Sequence, residues 1–320
     1  MSHIIIIGSG VVGQATGKGF AKKGHRITFV DVNPDTRAKL TEQGHTALAI
    51  QQVDWSEADI AMLTVPTPTI DGVPSVQYLK AAALDVGIGL SQAKNFVVVV
   101  VRSTALPTTT EKIITPILEQ ASGKRAGVDF GVVMNPEFLR QTNSEQDFAR
   151  PWLTVVGCTD SRSEDVMEKL YRPFGAIIVY CTPTEAEMIK FTSNVYNAIK
   201  ISYFNEVHEI CQKLGVDSNL VGATVARTAE AMWNPLYGTR GGVPFGGACL
   251  PKDTAAFLHF AHEMGFEHLV LEAAVQSNQR LAIKVKPVAS PDKIDEALHT
   301  APQESSSAAL PHQNGILKTA

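Results

Sequence analysis

The chain has 320 residues, 44% of them hydrophobic and 19% charged, with a net charge of -4. That length suits about two domains with a sizeable buried core, and a slightly acidic chain without a basic stripe or an aromatic-rich basic loop argues against a nucleic-acid partner. No apolar run approaches the roughly 20 residues a membrane span needs, and Met1-Ser2-His3-Ile4-Ile5-Ile6-Ile7 is too short, and lacks the basic region, to be a signal peptide.

A cytoplasmic, reducing setting is therefore expected, with no membrane partner. The four cysteines, Cys158, Cys181, Cys211 and Cys249, lie far apart and form no C-x-x-C pair. The first three sit in apolar or helical surroundings and read as core packing. No metal site is expected.

From the N-terminus, short Val- and Ile-rich runs alternate with helical patterns. The runs are His3–Ile7, Arg26–Val32, Asp59–Val65, Phe96–Val101, Gly131–Met134, Thr154–Val156 and Ile177–Cys181. Between them lie helix-like stretches, Val12–Lys23, Pro34–Gln43, Val76–Ala93, Thr109–Ala121 and Arg162–Tyr171. Continuous apolar runs mark strands buried on both faces, so the expected fold class is α/β, beginning with a Rossmann doubly wound parallel sheet.

After Cys181 the texture changes. Pro183–Leu214 has no strong breaker and keeps helical periodicity, which predicts one long central helix, and a second helix is expected from Ser218 to about Arg227. A Gly/Pro-rich loop, Asn234–Pro251, precedes two more helices that end near Lys286. The domains are thus expected at 1–182 (dinucleotide-binding sheet), 183–286 (all-helical) and 287–320, where Ser, Ala, Pro and Gln predict a disordered tail.

Gly8-Ser9-Gly10-Val11-Val12-Gly13 follows the first strand and opens the first helix, which is the context a G-x-G-x-x-G fingerprint requires. Its glycines permit a tight turn and close approach of a pyrophosphate, and the helix N-terminus favours the phosphate charge. Asp31 ends the second strand, eighteen residues after Gly13. A carboxylate there accepts ribose hydroxyl hydrogen bonds and repels a 2′-phosphate, so NAD is preferred over NADP, although Arg37 lies nearby. Val65-Pro66-Thr67-Pro68 and Arg102-Ser103-Thr104 end two further strands, at the carboxyl edge where such sheets bind ligands.

Phe245-Gly246-Gly247-Ala248-Cys249-Leu250-Pro251-Lys252-Asp253 is the most informative stretch. Its glycines let backbone approach a ligand, and a cysteine near a helix start with Lys252 beside it gains thiolate character. Lys190 and Asn194 lie one turn apart on the long helix and can face one cleft. Asn135-Pro136-Glu137-Phe138-Leu139-Arg140 adds a carboxylate just after a strand. Taken singly, the cysteine reads more readily as a free thiol in a turn and Lys190 as a solvated helix charge, and Glu137 equally as a helix-start acid.

Taken together, with Asn205-Glu206 added, these segments resemble the UDP-glucose/GDP-mannose dehydrogenases, or nucleotide-sugar 6-dehydrogenases, over roughly residues 3–285. The resemblance implies NAD-dependent oxidation of a sugar primary alcohol at C6 to the carboxylate, in two hydride transfers. Cys249 would pass through a thiohemiacetal and a thioester, Lys190 and Asn194 would stabilise the oxyanion, and Asp253 would assist a water oriented by Thr104. Glu137 would act near the reacting carbon. The implied NAD contacts are Gly8, Gly10, Val11, Val12, Gly13, Asp31, Pro66, Thr67, Ser103 and Thr104. The implied substrate contacts are Glu137, Phe138, Leu139, Lys190, Asn194, Phe245 and Gly246. The resemblance also implies a role in polysaccharide biosynthesis and a homodimer built through the 183–214 helix, which has apolar positions enough to cover more than one face.

Departures from the family pattern bear on the substrate. No strand–helix alternation follows Lys286, so the C-terminal domain that grips the nucleotide is expected to be lacking. Gln141 stands where a second glutamate is usual, Trp152-Leu153 follows Pro151 where an arginine is usual, and Tyr237–Pro244 is unlike the common loop. Open alternatives are therefore a smaller sugar alcohol as substrate, a partner chain supplying the grip, an inactive NAD-binding remnant, or a two-electron β-hydroxyacid-type dehydrogenase that needs the lysine but no cysteine.

Overall fold

The computed structural model describes residues 1–70 and 72–284, the Gln141 side chain excepted. The expected tail, 287–320, and the readings placed on it lie outside the described residues. The chain divides into two compact units, Met1–Ala198 and Ile199–Ala320, with the division inside the long helix.

The first unit alternates strand and helix: β1 (His3–Ile7), α1 (Val11–Lys22), β2 (Arg26–Val30), α2 (Pro34–Glu42), β3 (Thr46–Leu48) and β4 (Ile60–Leu63). A hairpin, β5 (Thr69–Ile70) and β6 (Val73–Pro74), interrupts the alternation. Then follow α3 (Gln77–Gln92), β7 (Val98–Val101), α4 (Thr115–Ser122), β8 (Gly131–Met134), α5 (Ser144–Ala149), β9 (Leu153–Cys158), α6 (Ser161–Tyr171) and β10 (Ile177–Cys181). Eight strands form one sheet in the order β10-β9-β8-β7-β4-β1-β2-β3.

Every residue of β4, β7 and β8 is buried, as expected for a sheet covered on both faces. Alternate side chains feed opposite layers. Ile5, Leu63, Val99 and Val101 pack with α3 residues Leu79, Val86 and Leu90. Ile4, Ile6, Met62, Val98 and Val100 pack with Phe20 of α1 and Leu170 of α6. Each such fully buried side chain contributes about 1.5–3 kcal/mol.

The expected parallel sheet holds from β3 through β8, with one difference at its far edge. β9 pairs antiparallel to β8, and β10 follows β9 in parallel. A crossover back to a parallel strand takes a dozen or more residues, usually helical. Between β8 and β9 only the six residues of α5 are α-helical, the rest of 135–152 forming the loop that carries Glu137. Over this connection the chain returns as an antiparallel strand.

Beneath that loop lies a buried polar network. Arg102 donates through Nε to Thr16 Oγ1 (3.0 Å) and through Nη1 to Asn135 Oδ1 (2.6 Å) and Tyr171 Oη (2.9 Å). Asn135 Nδ2 in turn donates to the Val155 carbonyl at 2.6 Å. Arg102, which reads as a strand-end residue in the sequence, thus ties β7, α1, the start of the 135–152 loop, β9 and α6 together.

The helical segments are α7 (Pro183–Leu214), α8 (Ser218–Thr228), α9 (Glu230–Trp233), α10 (Leu250–Glu263) and α11 (Leu269–Lys284). α7 has the expected bounds. In the second unit, Glu206 of α7 accepts the Val270 N–H through both carboxylate oxygens (3.1 and 3.2 Å), capping the first turn of α11, and also pairs with buried His268. No helix among the described residues is long and apolar enough to cross a membrane.

The segment after β7 carries local strain. Thr108 has φ 77°, a left-handed conformation that a β-branched residue rarely adopts. A π-helical turn, Thr110–Ile114, follows it and leads into α4. The π-turn is held by Glu187 of α7, which is fully buried. Glu187 Oε1 accepts from Thr110 N–H (2.8 Å) and Thr110 Oγ1 (2.6 Å). Burial pushes its pKa up, and these donors partly offset that rise.

A left-handed residue costs about 1–2 kcal/mol when it is not glycine. Thr108→Gly removes that cost and adds unfolded-chain entropy of roughly 0.5–1 kcal/mol. The variant is expected to melt about 2 °C higher; a fall in Tm would show that Thr108 is not strained.

Candidate active site

The cofactor loop is built by close approach. Gly8, directly after β1, has φ 94°, and a Cβ there would lie 2.9 Å from Val65. A Cβ on Gly13 would lie 2.1 Å from the Gly8 carbonyl oxygen, so α1 can seat against β1 only as glycine. Gly10 caps α1 without a side-chain hydrogen bond, and a Cβ on it would meet nothing within 4 Å. The first turn of α1, beginning with Val11 and Val12, thus presents backbone donors over open space, which suits a pyrophosphate.

Asp31 follows the last residue of β2. Its Oδ2 accepts the Ser9 N–H at 2.7 Å and its Oδ1 the Asn33 N–H at 2.9 Å, which holds the carboxylate against the glycine loop. Arg37 Nη1 donates to the Asp31 and Val32 carbonyls at 2.7 and 3.0 Å. Two more loops close the same sheet edge. Ser103 Oγ donates to Val65 O at 2.6 Å, and Thr67 Oγ1 donates to Thr104 O at 2.7 Å, so the segments 65–67 and 103–104 are stitched together beside Pro66. The donors, the open glycine turn and the carboxylate fit an NAD molecule laid over the carboxyl ends of β1, β2, β4 and β7.

Beside them lies an ion pair. Lys190 Nζ is 3.1 Å from Glu137 Oε1, with the two side chains only 6% and 14% exposed. Glu137 is aimed by its own loop, its Oε2 accepting the Leu139 N–H at 2.6 Å. Lys190 also lies 5.3 Å from the centre of the Phe138 ring. Glu137, Phe138 and Leu139 line a cavity of about 380 Å³ together with Arg102, Trp152 and Ile189. Asn194, one turn beyond Lys190, is exposed. Trp152, at one of the departures from the family pattern, is 95% exposed.

In the second unit Cys249 caps the start of α10, with the Asp253 N–H donating to its carbonyl at 2.8 Å. All four cysteines fall among the described residues, and Cys249 is the exposed one. Burial pushes the Cys158 thiol up to about 11 and raises Cys181 as well, so those two are poor nucleophiles. Lys252, read from the sequence as the thiol's neighbour, pairs instead with Asp253 Oδ1 at 2.8 Å. That hydrogen bond raises the Lys252 pKa. Gly246 is exposed, and Phe245 is half-buried and bonded to α11 through Asn278.

Two side chains of these sites have no sequence signal. Glu187 is one acid among several on α7, and Asn278 is a polar residue inside a helix. Only their partners, distant in sequence, reveal them.

Residues 43–175 match the NAD-binding domain of the UDP-glucose/GDP-mannose dehydrogenase family, and residues 184–280 match its central domain. The chain is 35% identical to GDP-mannose 6-dehydrogenase of Pseudomonas putida over 299 residues, which are 87% of this chain and 68% of that protein. It is likewise 35% identical to UDP-glucose 6-dehydrogenase AglM of Haloferax volcanii, covering 86% of this chain and 69% of that one. A crystal structure of GDP-mannose dehydrogenase from Pseudomonas aeruginosa, a ternary complex, superposes with a TM-score of 0.83 at 31% identity, covering 89% of this chain and 70% of that one. Two domain models in the right order, and a likeness of this extent in sequence and in structure, establish that the chain belongs to the UDP-glucose/GDP-mannose dehydrogenase family, as an NAD-dependent oxidoreductase acting on a CH–OH group.

Proposed function

We propose that this protein oxidises the C6 primary alcohol of a nucleotide sugar of the UDP-glucose or GDP-mannose class to the carboxylate, with Cys249 as covalent nucleophile. Cys249 carries this proposal: it is an exposed thiol at the head of a helix, in a chain whose relatives are named 6-dehydrogenases. A two-electron β-hydroxyacid-type dehydrogenase needs no such nucleophile.

Bound at Gly8–Gly13 and Asp31, NAD supplies the hydride acceptor, once for each oxidation. Glu137 takes the hydroxyl proton, directly or through a water, and the Lys190 ammonium with Asn194 stabilises the alkoxide. The Cys249 thiolate adds to the aldehyde carbon, giving a thiohemiacetal whose oxidation leaves a thioester. Water, assisted by Asp253 and oriented by Thr104, cleaves the thioester and releases the carboxylate and the free thiol. Phe138, Leu139, Phe245 and Gly246 hold the sugar nucleotide. The part 183–286 serves catalysis and dimerisation, and 1–182 serves the cofactor and adds Thr104, Glu137, Phe138 and Leu139 to the reaction.

α7 supports a homodimer. Val195, Tyr196, Ile199 and Ile201 are each more than half exposed, an apolar stretch of helix that a second copy would cover. Light scattering at micromolar concentration is expected to give twice the chain mass; a monomeric mass would exclude this use of α7.

The stoichiometry of reduction tests the chemistry. With limiting UDP-glucose or GDP-mannose, two NADH per sugar are expected by absorbance, and Cys249→Ser should lose this turnover. Full two-NADH turnover in Cys249→Ser, or one NADH per sugar in the wild type, would overturn the mechanism. Asp31→Asn removes the charge that repels a 2′-phosphate and should lower the NAD/NADP ratio of kcat/KM about tenfold, or ~1.4 kcal/mol. An unchanged ratio would place the ribose elsewhere.

A further inference from the structure

We propose that Asn278 is a positioning residue for the nucleophile, its side-chain amide fixing the glycine-rich segment that delivers Cys249; this rests on Cys249 being the nucleophile proposed above.

Asn278 lies inside α11, where asparagine is a poor helix former because its amide competes for backbone partners. Here that amide is used across the fold. Asn278 Oδ1 accepts the Phe245 N–H at 2.7 Å, and Asn278 Nδ2 donates to the Phe245 carbonyl at 3.0 Å. Two bonds of opposite sense to one residue reproduce what a neighbouring β-strand would do, and they fix the peptide planes on both sides of Phe245.

The rest of the loop has nothing comparable. Its other hydrogen bonds among the described residues are local: Asn234 with Glu230, Leu236 and Tyr237 with Asn234, and Thr239 with Leu236. Between Phe245 and the start of α10 stand only Gly246, Gly247, Ala248 and Cys249. These side chains make no hydrogen bond among the described residues, so Phe245 is where the loop is anchored ahead of the thiol.

The anchor itself is fixed. Glu206 caps the first turn of α11 through the Val270 N–H. From α7 through Glu206, α11 and Asn278, the position of the cysteine segment is set by hydrogen bonds at the first turn and in the middle of one helix. A misplacement of about 1 Å at a reacting centre can cost on the order of 100-fold in rate. Losing the clamp should therefore act on capture of the aldehyde by the thiol and leave the first oxidation in place.

The test compares Asn278→Ala and Asn278→Asp with wild type and Cys249→Ser, using UDP-glucose and GDP-mannose as probes and a hydrazide to trap free aldehyde. Asn278→Asp keeps the acceptor for the Phe245 N–H and loses the donor, so it guards against a failure of Asn278→Ala to fold. Asn278→Ala should lower kcat about 10- to 100-fold and should release trappable aldehyde. Asn278→Asp should fall between it and wild type. Without substrate, hydrogen exchange of the Phe245 amide should accelerate in Asn278→Ala, while helices α10 and α11 keep their protection. A merely structural role would slow both oxidations alike and release no aldehyde. Wild-type kcat without trapped aldehyde in Asn278→Ala, alongside an inactive Cys249→Ser, would overturn this inference alone. Full turnover in Cys249→Ser would instead remove the nucleophile on which it rests.

Discussion

A buried ammonium group must bring its counter-charge with it, and in this protein that constraint docks the long helix onto the sheet. Lys190 of α7 is sealed against Glu137 of the loop after β8, and removing one member of such a pair costs about 3–5 kcal/mol because the other is stranded. One turn earlier Glu187, fully buried, holds Thr110 in the π-turn after β7. Two carboxylates of opposite origin, one on the loop and one on the helix, thus fasten α7 to the carboxyl edge of the sheet. The same edge carries the glycine loop, Asp31 and the stitched 65–67 and 103–104 segments. The pair that would handle the substrate's proton is set by the packing that places the helix.

Much of the fold is legible in the sequence because its strands are buried on both faces. Runs such as Ile4–Ile7 and Val98–Val101 have no polar side to confuse the pattern, and α7 is bounded where Pro183 and Gly215 bound it. The short edge strand β3, half-exposed, and the β5–β6 hairpin carry no such pattern and are not anticipated. The reversal of β9 is not anticipated either, because its run of buried residues is the same for either direction.

The site is legible as a set of motifs and less so by partnership. The glycine fingerprint, Asp31, Glu137, Lys190 and Cys249 stand out through their order and spacing as a set, each being ordinary when taken alone. That Lys190 and Glu137 form a pair depends on a contact between residues far apart in the chain. Arg102, Glu187 and Asn278 owe their importance wholly to such contacts. The capture of Lys252 by its sequence neighbour Asp253 is a matter of side-chain conformation, which the sequence does not show where it suggests a neighbour for the thiol. Thr108 is visible only through its φ.

The two units bring different chemistry to the proposed reaction. The first offers a cofactor cradle and a buried acid–base pair, and the second an exposed thiol that its buried and half-buried counterparts Cys211, Cys158 and Cys181 do not match. In the proposed reaction the substrate becomes attached to Cys249, and intact-mass spectrometry of enzyme quenched in acid during turnover observes that step directly. An adduct equal to the nucleotide sugar less four hydrogens, mapped to the Cys249 peptide, is the predicted thioester. Continued production of carboxylate with Cys249 unmodified at every time point would contradict the account.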